Sequence, residues 1–270
     1  MRADVYLTEN GYAPSRQRAR LMIESGNVQI DGVTVTKPSQ PISDGEHTLT
    51  ITDPLRYVGR GGLKLEGALQ SFSVDPTGLC ALDIGASTGG FTDCLLQNGA
   101  ACVYAVDAGG GQLAQKLRED ARVKCREHLN AREMTRDDLD GNAVDLIVMD
   151  VSFISATYIL PRFPQLLSEN GRAICLIKPQ FEVGKAMLGK GGIVKDPAAH
   201  RYAVRRVCES ARSVGLCPTG LIPSPITGGD GNREFLILLE REHEGVAALS
   251  EAEIVAVTSR VSSERSKQRC

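Results

Sequence analysis

A doubly wound, mostly parallel α/β sheet preceded by a small α+β unit is the fold class that this 270-residue sequence predicts. Three observations predict it. The run Ala81-Leu-Asp-Ile-Gly-Ala-Ser-Thr-Gly-Gly-Phe91 reads as a buried strand, a glycine turn and a helix beginning near Phe91, an arrangement that builds a nucleotide-type pocket. From Cys80 onward, strand patterns over 81–84, 102–106, 144–149 and 172–177 alternate with helical ones. Residues 2 to about 52 carry a different pattern, two short helices ahead of a hairpin signal. The expected division is residues 1–55, a linker over 56–62, a larger unit over 63–245, and a C-terminal helix and tail over 246–270.

In the small unit, residues 4–10 form a helix closed by Gly11, and Ser15 caps a second helix that runs to Ser25 before Gly26. Ala19, Met22 and Ile23 recur at helical spacing, while Arg16, Arg18 and Arg20 put positive charge at or beside the solvent face. Val28-Gln-Ile, Asp31-Gly32 and Val33-Thr-Val35 then read as strand, two-residue turn and returning strand. Residues 1–60 carry seven basic and seven acidic side chains, so any binding patch must be a segregated face.

Through Ser15-Arg16, Gly26-Asn27-Val28 and Asp31-Gly32-Val33, this stretch resembles an S4-type RNA-binding domain. The resemblance implies that the arginine-bearing face grips RNA phosphates, with Arg2, Arg16, Arg18, Arg20 and Lys37 as candidates. Singly, each is as well explained as part of a solvated helix face.

Asp53-Pro54 and the glycines at 59, 61 and 62 punctuate the junction before a helix over 63–72. In the sheet, three residues separate Gly85 from Gly89 and Gly90 follows directly, a spacing unlike the Gly-x-Gly-x-x-Gly of dinucleotide folds. With Asp83 at the strand end and Asp107 after the second strand, it favours S-adenosylmethionine over NAD; a tight turn without ligand is the plain alternative. Helices are expected over 92–97, 112–118 and, interrupted by prolines, 156–167. Asp196 caps a helix running to about Ser213, and a packing helix over 248–261 shows helical spacing at Ile254, Val257 and Val261.

Four residues form the chemical hypothesis: Lys64, Asp150 and Lys178 at the ends of apolar elements, and Glu234 opening Phe235-Leu-Ile-Leu-Leu239. Each has a plain reading as a surface or strand-end residue, but the fold aims all four at one rim. A ribose hydroxyl needs its proton removed before it can accept a methyl group, and a lysine of lowered pKa serves. Crowding of Lys178 by Lys64 and partial desolvation would lower that pKa, whereas Asp150 and Glu234 would oppose the shift.

This quartet, with the glycine turn, resembles the FtsJ/RrmJ-like ribose 2′-O-methyltransferases, whose fold implies a seven-stranded sheet. Joined to the S4-like segment, it resembles the TlyA family through Val58-Gly-Arg-Gly-Gly-Leu-Lys64, Asp150-Val-Ser-Phe-Ile-Ser155 and Lys178-Pro-Gln-Phe-Glu-Val-Gly184. The resemblance implies S-adenosylmethionine-dependent 2′-O-methylation of cytidine in ribosomal RNA, with Lys178 as general base and Asp150, Lys64 and Glu234 arranging it. It also implies that Asp83, Gly85, Ser87, Gly89, Gly90, Phe91, Asp107 and Asp150 border the cofactor. Where related enzymes often carry an aspartate near the adenine, this chain has His128-Leu-Asn130, which makes Asn130 the candidate. The start close to the first S4 helix resembles the shorter form that modifies large-subunit RNA.

Composition narrows the classes. With 31 basic and 33 acidic residues, bulk charge says nothing of RNA. Eight scattered cysteines without a Cys-x-x-Cys pair suit reduced thiols in a cytoplasmic protein without a metal site, and no apolar run approaches a membrane span. Lys185 and Lys190, in the loop Gly184-Lys-Ala-Met-Leu-Gly-Lys-Gly-Gly192, are further RNA candidates, an ordinary surface loop being the alternative. The turn over 228–232 leads into Glu234, and Cys270 is assigned nothing. The expected partner is ribosomal RNA or a ribosomal subunit, with a non-catalytic RNA-binding factor and a membrane-active haemolysin as competing classes.

Overall fold

The computed structural model describes residues 1–13, 15–24, 26–43, 45–51, 56–243 and 245–259. Ser25, Asp53, Pro54, Val261 and Cys270, named above, lie outside them. The chain divides into two compact units, Met1–Gly62 and Leu63–Cys270.

The first unit contains α1 (Ala3–Glu9), α2 (Arg16–Glu24), β1 (Val28–Ile30), β2 (Val33–Thr34) and β3 (Leu49–Ile51). Ser15 Oγ accepts from Arg18 N at 3.2 Å, which starts α2. Asp31 and Gly32 both take positive φ, the condition for a tight turn whose twist matches a hairpin. The sheet order is β2-β1-β3 and both pairings are antiparallel. β3 adds a strand beyond the expected hairpin; its pattern of half-buried, exposed, half-buried is a short alternation. Leu7, Ala19, Met22, Ile23, Val28 and Ile30 share the core.

The second unit opens with α3 (Gly61–Phe72), whose first residues adjoin the division. It continues through β4 (Cys80–Ile84), α4 (Gly90–Gln97), β5 (Cys102–Val106), α5 (Gln115–Arg118), β6 (Val123–Arg126) and β7 (Val144–Met149). Then follow α6 (Phe163–Leu166), β8 (Leu167–Ile177), α7 (Pro179–Glu182), α8 (Pro197–Arg212), β9 (Leu216–Pro223), β10 (Phe235–Arg241) and α9 (Glu251–Ser259). The seven strands lie in the order β6-β5-β4-β7-β8-β10-β9, parallel except for β10, which runs against both neighbours. β4 and β7 are buried almost throughout, as strands covered on both faces must be.

Some elements depart from expectation. The helix expected from Gln112 shrinks to one turn, Gln115–Arg118, because Gly109, whose carbonyl accepts from His128 N, and Gly110, against the His128 ring, hold the chain to the segment after β6. Pro161 and Pro164 break the stretch expected over 156–167 into two short 3₁₀ turns and the single turn of α6. β6 is half-buried and polar, and β9 contains Pro218, Gly220 and Pro223, so neither shows an apolar strand pattern. β9 tolerates its prolines at the sheet edge, beside a register shift at Leu238/Leu239. Among the described residues, no helix is long and apolar enough to cross a membrane.

Candidate active site

Chain order reverses across the sheet between β4 and β7, so a crevice opens outside their carboxyl ends. The turn after β4 is built for close approach. Gly85 has φ +83°, and a Cβ there would lie 2.5 Å from the Asp150 carbonyl oxygen. Gly89 has φ +95°, and its Cβ would collide with Leu117 at 2.2 Å. Gly90 begins α4, and Phe91 is buried behind it, where it pins the helix. Ser87 N donates to Asp107 Oδ2 and Gly109 N to Asp107 Oδ1, both at 2.8 Å, so Asp107 ties the turn after β4 to the turn after β5.

Asp83, at the tip of β4, is 0 % exposed. Its Oδ2 accepts from Thr92 N at 2.9 Å and from Thr92 Oγ1 at 2.6 Å, while its Oδ1 has no partner. Burial pushes its pKa up to about 7 against the Thr92 hydrogen bonds, and the charges of Asp150 and Asp107 add to the rise. A buried carboxylate oxygen left open beside a glycine turn suits a cationic group. Asn130, exposed after β6, accepts from Arg132 N and donates to Glu133 Oε1, and Leu129 N reaches the Asp107 carbonyl.

The expected quartet converges. Lys64, in the first turn of α3, donates to Glu234 Oε2 at 2.6 Å and lies 3.9 Å from Asp150 Oδ2. Lys178, just after β8, stands 2.6 Å from Asp150 Oδ1. The Lys64 and Lys178 side chains are only 9 % and 11 % exposed. Burial raises the pKa of Glu234, opposed by Lys64 and Lys178. Each ammonium thus has a carboxylate as its close charged partner. The turn before Glu234 matters sterically, since a Cβ on Gly228 would lie 2.6 Å from Glu234 Oε1.

Three residues of this site were not singled out from sequence. Ser152 Oγ accepts from Lys178 Nζ at 2.7 Å. Phe153, 92 % exposed and at φ +66°, meets Phe181 with ring centroids 5.4 Å apart. Glu182, buried, accepts from Ser155 Oγ at 2.5 Å and Ala156 N at 2.7 Å. All three lie in the two motifs following Asp150 and Lys178, the only signal the sequence offered.

Among the RNA candidates, Arg2 and Arg16 share the buried Asp4, at 2.9 Å and 3.3 Å. Arg18 donates to the Tyr57 carbonyl at 2.7 Å. Arg20 and Lys37 are exposed, as are Lys185 and Lys190 in the second unit. The loop holding those two lysines comprises short 3₁₀ turns at Lys185–Met187 and Lys190–Gly192. Buried Asn232 fastens its far end, accepting from Val194 N and donating to the Gly192 carbonyl. A separate cleft, lined by Phe72, Leu221, Leu249 and Val257 among others, lies against α9 and contains none of the quartet.

Comparison with known proteins shows the family. The FtsJ-like methyltransferase family matches residues 57–241, and the S4 domain family matches residues 1–47. The chain is 43% identical over 242 residues to the 16S/23S rRNA (cytidine-2′-O)-methyltransferase TlyA of Mycobacterium tuberculosis, covering 89% of this chain and 90% of that one. It is 39% identical to Hemolysin A of Brachyspira hyodysenteriae, over 87% of this chain and 98% of that one. A solved structure of a candidate hemolysin from Streptococcus thermophilus superposes with a TM-score of 0.75 at 40% identity, covering 96% of this chain and 94% of that one.

Proposed function

Because this chain belongs to the FtsJ-like methyltransferase family and carries an S4 domain, we propose that it is an S-adenosylmethionine-dependent ribosomal RNA ribose 2′-O-methyltransferase acting on cytidine. One observation carries the reading. Asp150 holds Lys178 with its side chain at 2.6 Å while its backbone carbonyl abuts Gly85 of the glycine turn, so base and turn meet at one residue.

When bound, S-adenosylmethionine supplies an electrophilic methyl group beside a positive sulfur. The unpartnered Asp83 Oδ1 suits the charge of that cofactor, and Gly85 and Gly89, at positive φ and packed against the Asp150 carbonyl and Leu117, hold the turn in the shape that would receive it. Asp107 and Asn130 stand at the next two strand ends, where ribose and adenine would be met. Lys178 accepts the proton from the ribose hydroxyl in this reading, as that oxygen becomes a nucleophile. Asp150 stabilises the resulting ammonium, and Lys64 with Glu234 keeps the surrounding charge balanced. Exposed Phe153 offers a ring face on which the target base can stack. Arg20, Lys37, Lys185 and Lys190 supply phosphate contacts, with Arg2, Arg16 and Arg18, each held by internal bonds, as further members of the same set.

Mapping of 2′-O-methyl groups on ribosomal RNA after incubation with pure protein and S-adenosylmethionine tests this. One or more new methylated cytidines, in large-subunit RNA, small-subunit RNA or both, are expected. Cofactor binding with no methyl transfer to free RNA, to either subunit or to the assembled ribosome would favour a non-catalytic RNA-binding factor.

A further inference from the structure

We propose that Ser152 is a positioning residue whose hydroxyl sets the direction in which the Lys178 amine faces its substrate, an inference that rests on the reading of Lys178 as base. Lys178 Nζ donates to Ser152 Oγ at 2.7 Å. Asp150 Oδ1 is as close, at 2.6 Å, yet has no hydrogen-bond partner, so that contact is an ion pair off the hydrogen-bonding direction. Charge attraction fixes a distance and leaves the angle loose, whereas an aligned hydroxyl acceptor fixes the angle. With Cε and Ser152 taking two of the four tetrahedral positions at nitrogen, only two positions remain for the lone pair that meets the substrate hydroxyl.

Ser152 is itself exposed, so burial does not hold it. Its neighbour Phe153 sits at φ +66°, a left-handed conformation that a bulky residue keeps only where its surroundings impose it. Glu182 anchors the segment just after it: the residue is 2 % exposed, accepts from Ser155 Oγ and Ala156 N, and stands four residues after Lys178 on α7. The Phe153–Phe181 contact adds a second tie to the same helix. The circuit closes from Lys178 through α7 to Glu182, across to Ser155, and back through Ser152 to Lys178. Base and acceptor therefore share one frame, and the angle between them is preserved.

The test compares Ser152→Ala, Ser152→Thr and Lys178→Ala in the full chain, by methyl-transfer kinetics on ribosomal RNA and cofactor-binding calorimetry. Ser152→Ala is expected to lower kcat about 10-fold, within what misplacing a reacting group produces. KM for RNA and cofactor affinity should stay within about twofold of the parent, because uniform binding is untouched. Ser152→Thr keeps the hydroxyl and should recover most of the lost rate. An alanine variant at parental kcat, a loss confined to KM, or a threonine variant no better than alanine would overturn the proposal. A fully active Lys178→Ala would instead remove the base reading, whereas an inactive Lys178→Ala beside a fully active Ser152→Ala would remove only the role of Ser152.

Discussion

At the tips of the neighbouring strands β4 and β7, carboxylates are partnered in opposite ways. Asp83 on β4 has Thr92 on one oxygen and nothing on the other, and among the described residues no cation pairs with it. Asp150 after β7 shares Lys178 and Lys64, and Glu234 shares Lys64. With both lysines protonated the quartet sums to zero charge within itself, while the Asp83 site does not. An internally balanced cluster can pass a proton without drawing in a counter-ion, and an unbalanced one is completed by a charged ligand. In the function proposed above, cofactor capture falls to one strand tip and proton handling to the next.

The strongest way to break that division is at its hinge. Gly85→Ala would add a Cβ 2.5 Å from the Asp150 carbonyl at φ +83°. We expect cofactor affinity to fall about 10- to 100-fold, in line with roughly 1–3 kcal/mol of backbone strain. Calorimetric titration with S-adenosylmethionine measures it, and unchanged affinity would show that the turn does not carry the cofactor.

Asp83 gives the next largest effect and a pH signature. Its carboxyl, with pKa raised to about 7, is protonated in the free protein below that pH, whereas a cationic ligand favours the carboxylate. Affinity should therefore fall as pH drops through 7, with one proton released on binding, and level off above it. Asp83→Asn should weaken binding about 10-fold at pH 8, the scale of a hydrogen bond to a charged group, and abolish the pH slope. For the ligand-free fold the sign is reversed. A raised carboxyl pKa contributes stability that is present below the unfolded value and lost as pH rises through about 7, so Asp83→Asn should flatten the melting temperature between pH 5 and pH 8, values chosen to bracket that titration.

The first unit supplies a third variation, since Asp4 is buried but held by two arginines. The Arg2 hydrogen bond, with Arg16 behind it, holds its pKa down to about 2 against the cost of burial. This stability is present above the unfolded value and lost as pH falls toward 2. Arg2→Ala should thus lower the melting temperature of the full protein at neutral pH, whereas Arg20→Ala, on an exposed residue, should leave it unchanged. In RNA binding the ranking reverses: Arg20→Ala is expected to cost a few-fold in affinity and reduce the salt slope by about one contact. Filter binding at two salt concentrations distinguishes the two outcomes.

Much of this was legible because sheet chemistry gathers at strand ends. Lys178 and Asp150 each close an apolar run, Glu234 opens another and Lys64 opens a helix, so a parallel sheet brings them to one rim once its order is known. Asp4 with Arg16 was not legible, because a pair twelve residues apart on separate helices leaves no local pattern. Ser152 and Glu182 escaped for the same reason, since their bonds of 26 and 27 residues' separation exist only after β7 and β8 pair. β6 and β9 were obscured by polarity and by proline, which an edge strand tolerates.

The division between the two strand tips is tested most directly by methyl transfer to ribosomal RNA by Asp83→Asn and Lys178→Ala, each measured up to saturating S-adenosylmethionine. The account predicts that Asp83→Asn climbs back toward the parental rate as cofactor is added, while Lys178→Ala binds cofactor normally and stays on the order of 10²–10⁴-fold slow at every concentration. A Lys178→Ala protein that reached the parental rate at saturation would contradict it.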